Sequence, residues 1–487
     1  MRILGINALN HDAAVAVLED GDIKFAAHSE RYSRKKNDYL LNDEIMNEAL
    51  SYGEPDVVSY FEKPWLKKTR QFYAGQYDEV FRKDNTPKEY LKRWLGDTEI
   101  QYVQHHESHA SAGYYTSKFD EACIVVIDAI GEWETVTIWY GNDDKLEKRW
   151  SQKYPKSIGL FYSAMTQRLG LKPQEDEYIL MGMDAWGERN RTIKNRIYDD
   201  LVGSNINLHK GCKWWDLNFY PDDESEQWKF DIAANTQWIC EEEVMKIMNK
   251  AKEAVPESNN LVFMGGVALN CVANEKIAKE WDDIWIMPNP GDAGSSLGSA
   301  ARVYGRKVNW VHTFLGTEIK GSYPVKRGVN LLLDGQIVGI ANGKAEFGPR
   351  ALGNRSLIAD PRGNDIKDRV NVIKKRQKFR PFAPSVLEEH AHEIFDLPVE
   401  RASYMQFTAK CKYPDKYPAI CHVDGTSRVQ TINRKENRGY YDLIKRFYRE
   451  TGCPMVLNTS LNIKGQPMVN TKKDAKEFEK FYGVKVI

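Results

Sequence analysis

Arg2-Ile3-Leu4-Gly5-Ile6-Asn7 is a short apolar run, which predicts a buried strand at the start of the chain. Two similar strand–turn–strand units are then predicted, Ala13 to Glu19 with Asp22 to Ala27, and Ala122 to Asp128 with Glu134 to Tyr140. Residues 40–95, between these units, have a mostly helical pattern. The repetition predicts a duplicated α/β architecture in the N-terminal part of the chain.

A composition shift at Gly316 to Arg327, rich in Gly, Ser, Pro and Lys, predicts a linker. With 487 residues the chain is too long for a single core. We therefore predict two domains, residues 1–320 and residues 321–487, and the second is also α/β.

The bulk composition excludes some classes of protein. The 69 basic and 69 acidic residues balance, so no global field attracts the chain to nucleic acid or to a membrane surface. No apolar run has the length of a membrane span, and the first residues do not have the pattern of a signal peptide. The seven cysteines are scattered without a C-x-x-C pair, which favours a reducing, cytoplasmic location. A homodimer is compatible with this composition.

A metal site is one interpretation of the region around His105. His105 and His109 are four residues apart, so on a helix their imidazoles share one face. With the carboxylates of Asp128 and Asp292 they would form a set suited to Fe or Mn, with Zn as an alternative. The competing interpretation is a polar helix end whose histidines are satisfied by water or backbone.

Two turns in the N-terminal part are candidates for binding or catalysis. Gly265 and Gly266, followed by Asn270, can expose backbone N–H groups to a nucleotide, although a tight strand–helix turn explains them equally well. His11, beside Asp12, is the best candidate for a general base, because histidine titrates near neutral pH. A histidine that only caps the turn is the alternative.

The C-terminal part concentrates groups that bind oxyanions. The segment Glu346 to Ser356 places Arg350 and Arg355 among glycines. Further candidates are Lys374, Arg380, Arg428 and Ser460, in the segments Lys374 to Pro384, Asp424 to Gln430 and Asn458 to Asn462. Arginine binds phosphate oxygens bidentately, so these segments predict a pocket for a phosphorylated substrate. A surface ion pair for Arg428 and a simple cap for residues 458–462 are the alternatives.

These residues resemble the O-carbamoyltransferases of the nodulation-protein-U type, which include antibiotic-tailoring enzymes. The matching motifs occur in family order: Asn10 to Ala13, His105 to His109, Gly182 with Gly187, Gly265 to Asn270, Asn289 to Asp292, Glu346 to Ser356, Phe379 to Pro384, Asp424 to Gln430 and Asn458 to Asn462. The resemblance implies an N-terminal domain of the actin/heat-shock ATPase type, similar to the threonylcarbamoyl transferase subunit. It also implies a YrdC-like C-terminal domain.

The resemblance implies a reaction in two steps. The C-terminal domain joins carbamoyl phosphate to ATP (with Mg), which gives a carbamoyl adenylate and releases pyrophosphate. An acceptor hydroxyl then attacks the carbonyl group in the N-terminal site. There His11 is the expected general base, with Asp12 beside it. The other implied roles are metal binding by His105, His109, Asp128 and Asp292, nucleotide contacts by Gly265, Gly266 and Asn270, and binding of carbamoyl phosphate and ATP by Arg350, Lys374, Arg380, Arg428 and Ser460.

Three positions depart from the family pattern. Ile179, Gln377 and Leu461 stand where lysine, glutamate and phenylalanine are usual, which affects fine positioning. The chain is also shorter than most relatives.

The acceptor is the least determined part of the prediction. A sugar or other small natural product is the family default, and a hydroxymethylated base in DNA is the alternative. The alternative rests on a basic and aromatic stretch made of Lys67, Lys68, Arg70, Arg82, Lys83, Lys92 and Arg93 with Trp65, Phe72, Tyr73, Tyr77, Phe81 and Trp94. The competing interpretation is a solvated helical face whose aromatic residues point inward.

Two other classes of protein compete with this prediction. A sugar kinase or ATPase would leave the C-terminal arginines unexplained. A maturation factor for hydrogenases would need an acylphosphatase domain and cysteine-rich zinc fingers, which the sequence lacks.

Overall fold

The structure is a computed structural model, and it describes residues 1–82, 86–204, 207–212, 215 and 226–487. The described residues form a mixed α/β fold, as the sequence predicts. The strands are β1 Arg2–Asn7, β2 Ala14–Glu19, β3 Asp22–His28, β4 Val57–Tyr60, β5 Ile100–Tyr102, β6 Glu121–Gly131, β7 Glu134–Asn142, β8 Lys145–Lys153, β9 Asn260–Met264, β10 Asp283–Trp285, β11 Phe314–Ile319, β12 Val338–Ala341, β13 Gly343–Glu346, β14 Arg355–Ala359, β15 Ala383–Leu387, β16 Phe395–Asp396, β17 Thr408–Cys411, β18 Thr426–Arg428, β19 Gln430–Ile432 and β20 Met455–Ser460.

Helices connect and cover these strands. They are α1 Glu30–Ser33, α2 Asp43–Leu50, α3 Pro64–Tyr73, α4 Tyr77–Phe81, α5 Pro87–Leu95, α6 His105–Thr116, α7 Ile158–Arg168, α8 Glu177–Met183, α9 Arg191–Ile197, α10 Gln227–Ala254, α11 Cys271–Ala278, α12 Ser295–Tyr304, α13 Val325–Leu333, α14 Ile366–Lys374, α15 Glu388–Ile394, α16 Arg438–Thr451 and α17 Lys472–Tyr482. Among the described residues, no helix combines the length and the apolar character that crossing a bilayer requires. All seven cysteines are buried and have free thiols.

Two five-stranded sheets in the N-terminal half have the same topology. Their strand orders are β3-β2-β1-β4-β5 and β8-β7-β6-β9-β10. In each sheet the first strand pairs antiparallel with the hairpin strand that follows it and parallel with a later strand. The outer strands β5 and β10 are also parallel to their neighbours. The second sheet therefore repeats the strand order and directions of the first.

Helices α6 and α12 pack between these two sheets and bring the ends of several elements together. α6 packs against β6 and β9, α12 packs against β1, β2 and β4, and the two helices contact each other. Their separation is small because Gly298 has no side chain, and a Cβ there would lie 1.9 Å from the carbonyl oxygen of Ser108. A Cβ on Gly5 would meet the carbonyl oxygen of Ser296 at the same distance.

A third five-stranded sheet, also mixed, lies at the centre of the C-terminal half. Its strand order is β12-β14-β20-β15-β19, with β15 parallel to β19 and the other pairs antiparallel. The apolar core of this half includes Val338, Leu357, Val386 and Leu457. Ala402 and Phe407 from this half belong instead to the hydrophobic cluster of the second N-terminal sheet, so the halves pack on each other.

The predicted linker at residues 316–327 is too long, because only residues 320–324 lie between regular elements. β11 ends at Ile319 and pairs antiparallel with β13, and α13 begins at Val325. Gly316 lies where β11 and β13 approach each other closely, since a Cβ on this residue would lie 3.2 Å from Cβ of Ala345. The composition indicates a loop. The strand forms because it pairs with β13, which lies more than 20 residues later in the sequence and cannot be inferred from local composition.

Replacing Gly298 with alanine should destabilise the protein. The added Cβ overlaps the Ser108 carbonyl, so α6 and α12 must separate, and overpacking of this kind costs about 1–3 kcal/mol. Chemical denaturation followed by circular dichroism measures this loss. Gly182→Ala is the matched control, since it also lies in a helix and a Cβ there meets nothing within 4 Å. Equal stability of the two variants would contradict the argument.

Candidate active site

Four ionisable side chains converge where α6, β6 and the start of α12 meet. Nε2 of His105 and Nε2 of His109 are 3.1 Å apart, one turn from each other on α6. Nε2 of His105 lies 3.2 Å from Asp128 and 3.3 Å from Asp292, and the corresponding distances for His109 are 3.6 and 3.4 Å. The predicted helix is confirmed, whereas Asp128 lies inside β6 and not at its end.

The arrangement of these four side chains fits a divalent metal ion. One ligand atom from each lies within 4.8 Å of the others, and all four side chains are buried or nearly so. Atoms that bind one ion at about 2.1 Å lie about 3.0–3.4 Å apart in tetrahedral or octahedral geometry, close to the separations seen here. Two imidazoles with two carboxylates suit Fe, Mn or Zn. The Nδ1 atoms of both histidines have no hydrogen-bond partner within the described chain.

The acid–base candidates lie beside this cluster. Nε2 of His11 donates to the carbonyl oxygen of Gln174 at 2.9 Å, which leaves Nδ1 with the lone pair that a general base needs. Asp12 has a left-handed backbone conformation, with φ 55°, and faces Nδ1 of His28 at 3.3 Å. Burial alone would raise the pKa of Asp12, but the facing His28 holds it well below its usual value. Asp12 is therefore an ionised hydrogen-bond acceptor.

His28 and Asn289 orient Asp12, and neither residue has a role in the prediction from the sequence. The side-chain amide of Asn289 donates to Nε2 of His28 at 3.0 Å, so the ring proton of a neutral His28 lies on Nδ1, facing Asp12. His28 is the last residue of β3 and is 3% exposed. His28 faces Asp12 because of the register in which β3 pairs with β2, and no local motif indicates that register.

The backbone N–H groups of the Gly265-Gly266 turn already form hydrogen bonds within the protein. The N–H of Gly265 donates to the carbonyl oxygen of Pro290, and that of Gly266 donates to Asp128 at 3.3 Å. Asn270 caps α11 and bonds Gln237. Gly266 and Asn270 line the cavity described next, and Gly265 does not. Contact of these three residues with a nucleotide stays a prediction, and the two glycine N–H groups are not free to make it.

One cavity of about 830 Å³ connects the cluster of His105, His109, Asp128 and Asp292 with the C-terminal half. Its N-terminal end is lined by His11, Asp12, His28, Asp128 and Asp292, with the two cluster histidines buried behind the carboxylates. Its other end is lined by Arg350, Lys374, Arg376, Arg380, Arg428 and Ser460. The structure thus brings the candidates from both ends of the sequence to one space.

Positive charge at the C-terminal end of the cavity is not neutralised by protein carboxylates. Within the described residues, none of its four arginines or Lys374 forms an ion pair, and Nε of Arg428 has no hydrogen-bond partner. Burial and the neighbouring Arg428 lower the pKa of Arg350 to about 9. Burial also lowers the pKa values of Arg376 and Arg380. These groups repel one another and would be stabilised by a polyanion.

The loop that carries Arg350 is fixed by the charged residues at its two ends. One carboxylate oxygen of Glu346 accepts hydrogen bonds from the backbone N–H groups of Leu352, Asn354 and Arg355. The fully buried guanidinium of Arg355 donates to backbone carbonyl oxygens, including those of Thr317 and Asn470. Arg355 is therefore structural, and the interpretation of both arginines of this motif as parts of an oxyanion pocket is wrong for Arg355.

Lys374 and Ser460 contact each other inside the cavity. Nζ of Lys374 donates to the carbonyl and hydroxyl oxygens of Ser460, at 2.6 and 3.1 Å, and to Asn462 at 2.5 Å. Asn458, on the same strand as Ser460, donates to the carbonyl oxygen of Ala351 and so holds the Arg350 loop. Arg376, which the sequence places in the basic cluster without a role, joins the lining because Asn371 and the backbone of residues 380–381 orient its guanidinium.

The three departures from the family pattern lie in or beside packed regions. Ile179 and Leu461 are completely buried in the hydrophobic clusters of the two halves. The side-chain oxygen of Gln377 is buried without a hydrogen-bond partner among the described residues.

Comparison with known proteins identifies the family. Two family models match, "Carbamoyltransferase N-terminus" over residues 70–301 and "Carbamoyltransferase C-terminus" over residues 329–486. The chain belongs to the carbamoyltransferase family. This confirms the resemblance seen in the sequence, and the protein is a transferase.

Individual proteins are similar to much of the chain. The carbamoyltransferase is 33% identical to nodulation protein NolO of Bradyrhizobium diazoefficiens, over 77% of this chain and 75% of that protein. It is 32% identical to an uncharacterized protein of Synechocystis sp., over 97% and 93%. Among solved structures, it is similar to component A of (R)-2-hydroxyglutaryl-CoA dehydratase from Acidaminococcus fermentans, with a TM-score of 0.37, 14% identity and coverage of 62% and 97%.

Removing one carboxylate of the cluster should weaken metal binding by the carbamoyltransferase. In Asp292→Asn a neutral amide replaces the anionic ligand, so we expect affinity for Fe(II), Mn(II) or Zn(II) to fall about tenfold or more. Titration of each protein with the metal, followed by elemental analysis of the bound metal, measures this affinity. Asp283→Asn, which changes an ion pair on β10, is the control. Unchanged metal content in Asp292→Asn, with the fold intact, would contradict the site.

Proposed function

We propose that this carbamoyltransferase is an ATP-dependent O-carbamoyltransferase with two linked reaction sites. Residues 321–487 would form the carbamoyl adenylate, as a YrdC-like domain, and residues 1–320 would transfer the carbamoyl group, as an actin-like domain. The observation that supports this most directly is the single cavity, which has unpaired cations at one end and the buried His₂Asp₂ cluster at the other.

The first step consumes carbamoyl phosphate, ATP and water. Water displaces phosphate from carbamoyl phosphate, and an oxygen of the resulting carbamate attacks the α-phosphorus of ATP. Pyrophosphate leaves, and a carbamoyl–AMP anhydride remains. Arg350, Arg380 and Arg428 would hold the phosphate oxygens of both substrates, since buried guanidinium groups stabilise charge that develops during the transfer. Lys374 and Ser460 would contribute to the same subsite.

The second step takes place at the other end of the cavity. The oxygen of an acceptor hydroxyl attacks the carbamoyl carbon, its proton moves to Nδ1 of His11, and AMP leaves with the electron pair of the broken C–O bond. Asp12 would accept a hydrogen bond from the acceptor, because His28 keeps it ionised and in position. A divalent ion bound by His105, His109, Asp128 and Asp292 would supply Lewis-acid polarisation of the carbonyl oxygen.

The acceptor class is not fixed by these residues. A sugar or other small natural product is the class that the family resemblance favours. A hydroxyl group on a nucleic acid is the second candidate, and the exposed aromatic side chains of α3 and α4 favour it. A carbamoyl mass gain on sugars, nucleosides or hydroxymethylated DNA, measured by mass spectrometry, distinguishes these acceptors.

Arg350→Ala should abolish pyrophosphate release that depends on carbamoyl phosphate. The variant loses one of the free cations of the cavity, so we expect a fall of at least about 100-fold. Its melting temperature should stay the same or rise, because a source of repulsion is removed. Arg362→Ala, which changes an exposed pair with Asp360, is the control. Normal pyrophosphate release by Arg350→Ala would exclude the assigned role, and release of ADP without carbamoyl phosphate would indicate a kinase.

His11→Asn should separate the two steps. Adenylate formation should persist, whereas transfer to an acceptor should fall by roughly 10²–10⁴, the usual contribution of a general base. Pyrophosphate release and carbamoylated product are measured on the same sample. His390→Asn changes a partly buried histidine that pairs with Glu393 and does not line the cavity, and it is the control. Loss of adenylate formation with retained transfer would reverse the assigned roles of the two ends.

A further inference from the structure

Exposed aromatic side chains are concentrated beside one end of the cavity. Five of the ten exposed aromatic side chains of the described residues lie on α3 and α4: Trp65, Phe72, Tyr73, Tyr77 and Phe81. They are 53–74% exposed, and we call them the aromatic surface. The competing interpretation, in which the aromatic residues point inward, is wrong for all five. Arg70 is the buried residue of α3, and α4 has no buried residue, so neither helix buries an aromatic side chain.

The aromatic surface is continuous with the cavity. Arg70, Gln71 and Gln76, from α3 and the turn after it, line the cavity wall. The ring of Tyr73 lies 6.4 Å from that of Tyr154, which lies 5.0 Å from that of His209, and His209 lines the cavity. Burial and the nearby Arg70 lower the pKa of His209 to about 4, so this ring is neutral at physiological pH. Tyr154 is 8% exposed and belongs to a hydrophobic cluster, so these rings are packed side chains between the surface and the cavity wall.

Positive side chains accompany these rings. Lys63 and Lys68 have no carboxylate partner in the part of the chain that the structure describes. Arg70 is 6% exposed and donates to the carbonyl oxygen of Glu132 and to the side chain of Gln76, again without a carboxylate partner among the described residues. Lys83, which belongs to the predicted stretch, lies outside the described residues. Trp94 does not join the surface, because its indole N–H donates to Asp43 on α2.

We propose that the aromatic surface docks a single-stranded segment of nucleic acid and that one of its nucleotides carries the acceptor hydroxyl into the cavity. This inference rests on the proposed function and specifies its acceptor. Bases stack on exposed rings without regard to sequence, and phosphates pair with free lysines between them. A nucleotide beside the aromatic surface would enter the cavity along the wall formed by Arg70, Gln71 and Gln76, with Arg70 near its phosphate. A membrane or a second copy of the chain would use the exposed rings but not the path into the cavity.

The test is binding of the full-length protein to a fluorescently labelled 20-nucleotide oligo-dT, followed by anisotropy. We expect saturable binding that weakens as salt increases. Trp65→Ser and Phe72→Ser should each weaken it about tenfold, since one stacked base is lost. Phe481→Ser, which removes an exposed ring on α17, should leave binding unchanged. Equal binding by all four proteins, or no binding by the wild type, would overturn the proposal.

The cations give an independent measurement. For single strands the slope of log K against log salt concentration is about −0.7 for each phosphate contact. The double variant Lys63→Gln/Lys68→Gln should therefore reduce the steepness of this slope by about 1.4. Lys472→Gln/Lys473→Gln, on α17, is the matched control and should leave the slope as it is. An unchanged slope in the first double variant would contradict phosphate contacts at these lysines.

Competing occupants and acceptors give different results. Binding to phosphatidylserine vesicles that oligo-dT does not displace would assign the surface to a membrane, and a dimer that Phe72→Ser dissociates would assign it to a second copy. Either result overturns the proposal. Carbamoylation of oligonucleotides containing hydroxymethylated bases, or of oligo-rU, then distinguishes DNA from RNA as the source of the hydroxyl. Pyrophosphate release without any acceptor tests adenylate formation separately. A failure of the proposed function can therefore be distinguished from a failure of the nucleic-acid proposal.

Discussion

The repulsion among unpaired cations is the constraint on which the C-terminal half depends. Arg350, Arg376, Arg380 and Arg428 share a cavity with Lys374 and have no carboxylate partner among the described residues. Buried like charges move apart unless the backbone holds them. Glu346 supplies part of this restraint by accepting three backbone N–H groups of the Arg350 loop, and Asn458 ties the same loop to the central sheet. Folding of the hydrophobic core thus offsets the repulsion among these cations and keeps them in a position to bind an anion.

The N-terminal site depends on a different restraint, which is close backbone packing. Asp292 reaches the histidines of α6 because α12 approaches that helix without a side chain at Gly298. Asp128 comes from a strand of the second sheet, and His11 and Asp12 follow a strand of the first. The candidate metal ligands and the acid–base pair are therefore positioned by the contact between two similar α/β units, and no single unit contains the site.

The sequence predicted the features that depend on local pattern. The early hairpin, the His105 helix and the turn at Gly265 all follow from periodicity or from turn residues. It did not predict features that depend on distant contacts. The residues at 316–327 have a loop-like composition but include the end of β11, whose partner is β13. His28 acquires its role through strand register, and Arg355 is structural because it meets carbonyl oxygens from remote segments. The outward direction of Trp65 and Phe72 likewise depends on what α3 packs against.

In the segment Glu346 to Ser356 some residues stabilise the loop and Arg350 lines the cavity, and this difference matters when function is assigned to homologous sequences. Glu346 and Arg355 maintain the loop, so a homologue that had lost the reaction would still be expected to retain them for stability. Arg350 makes no such contribution, and its burial beside Arg428 is unfavourable without an anionic ligand. Identity at the two loop-fixing positions therefore indicates common ancestry, whereas a pair of arginines at 350 and 428 is the better criterion for transferring an enzymatic annotation.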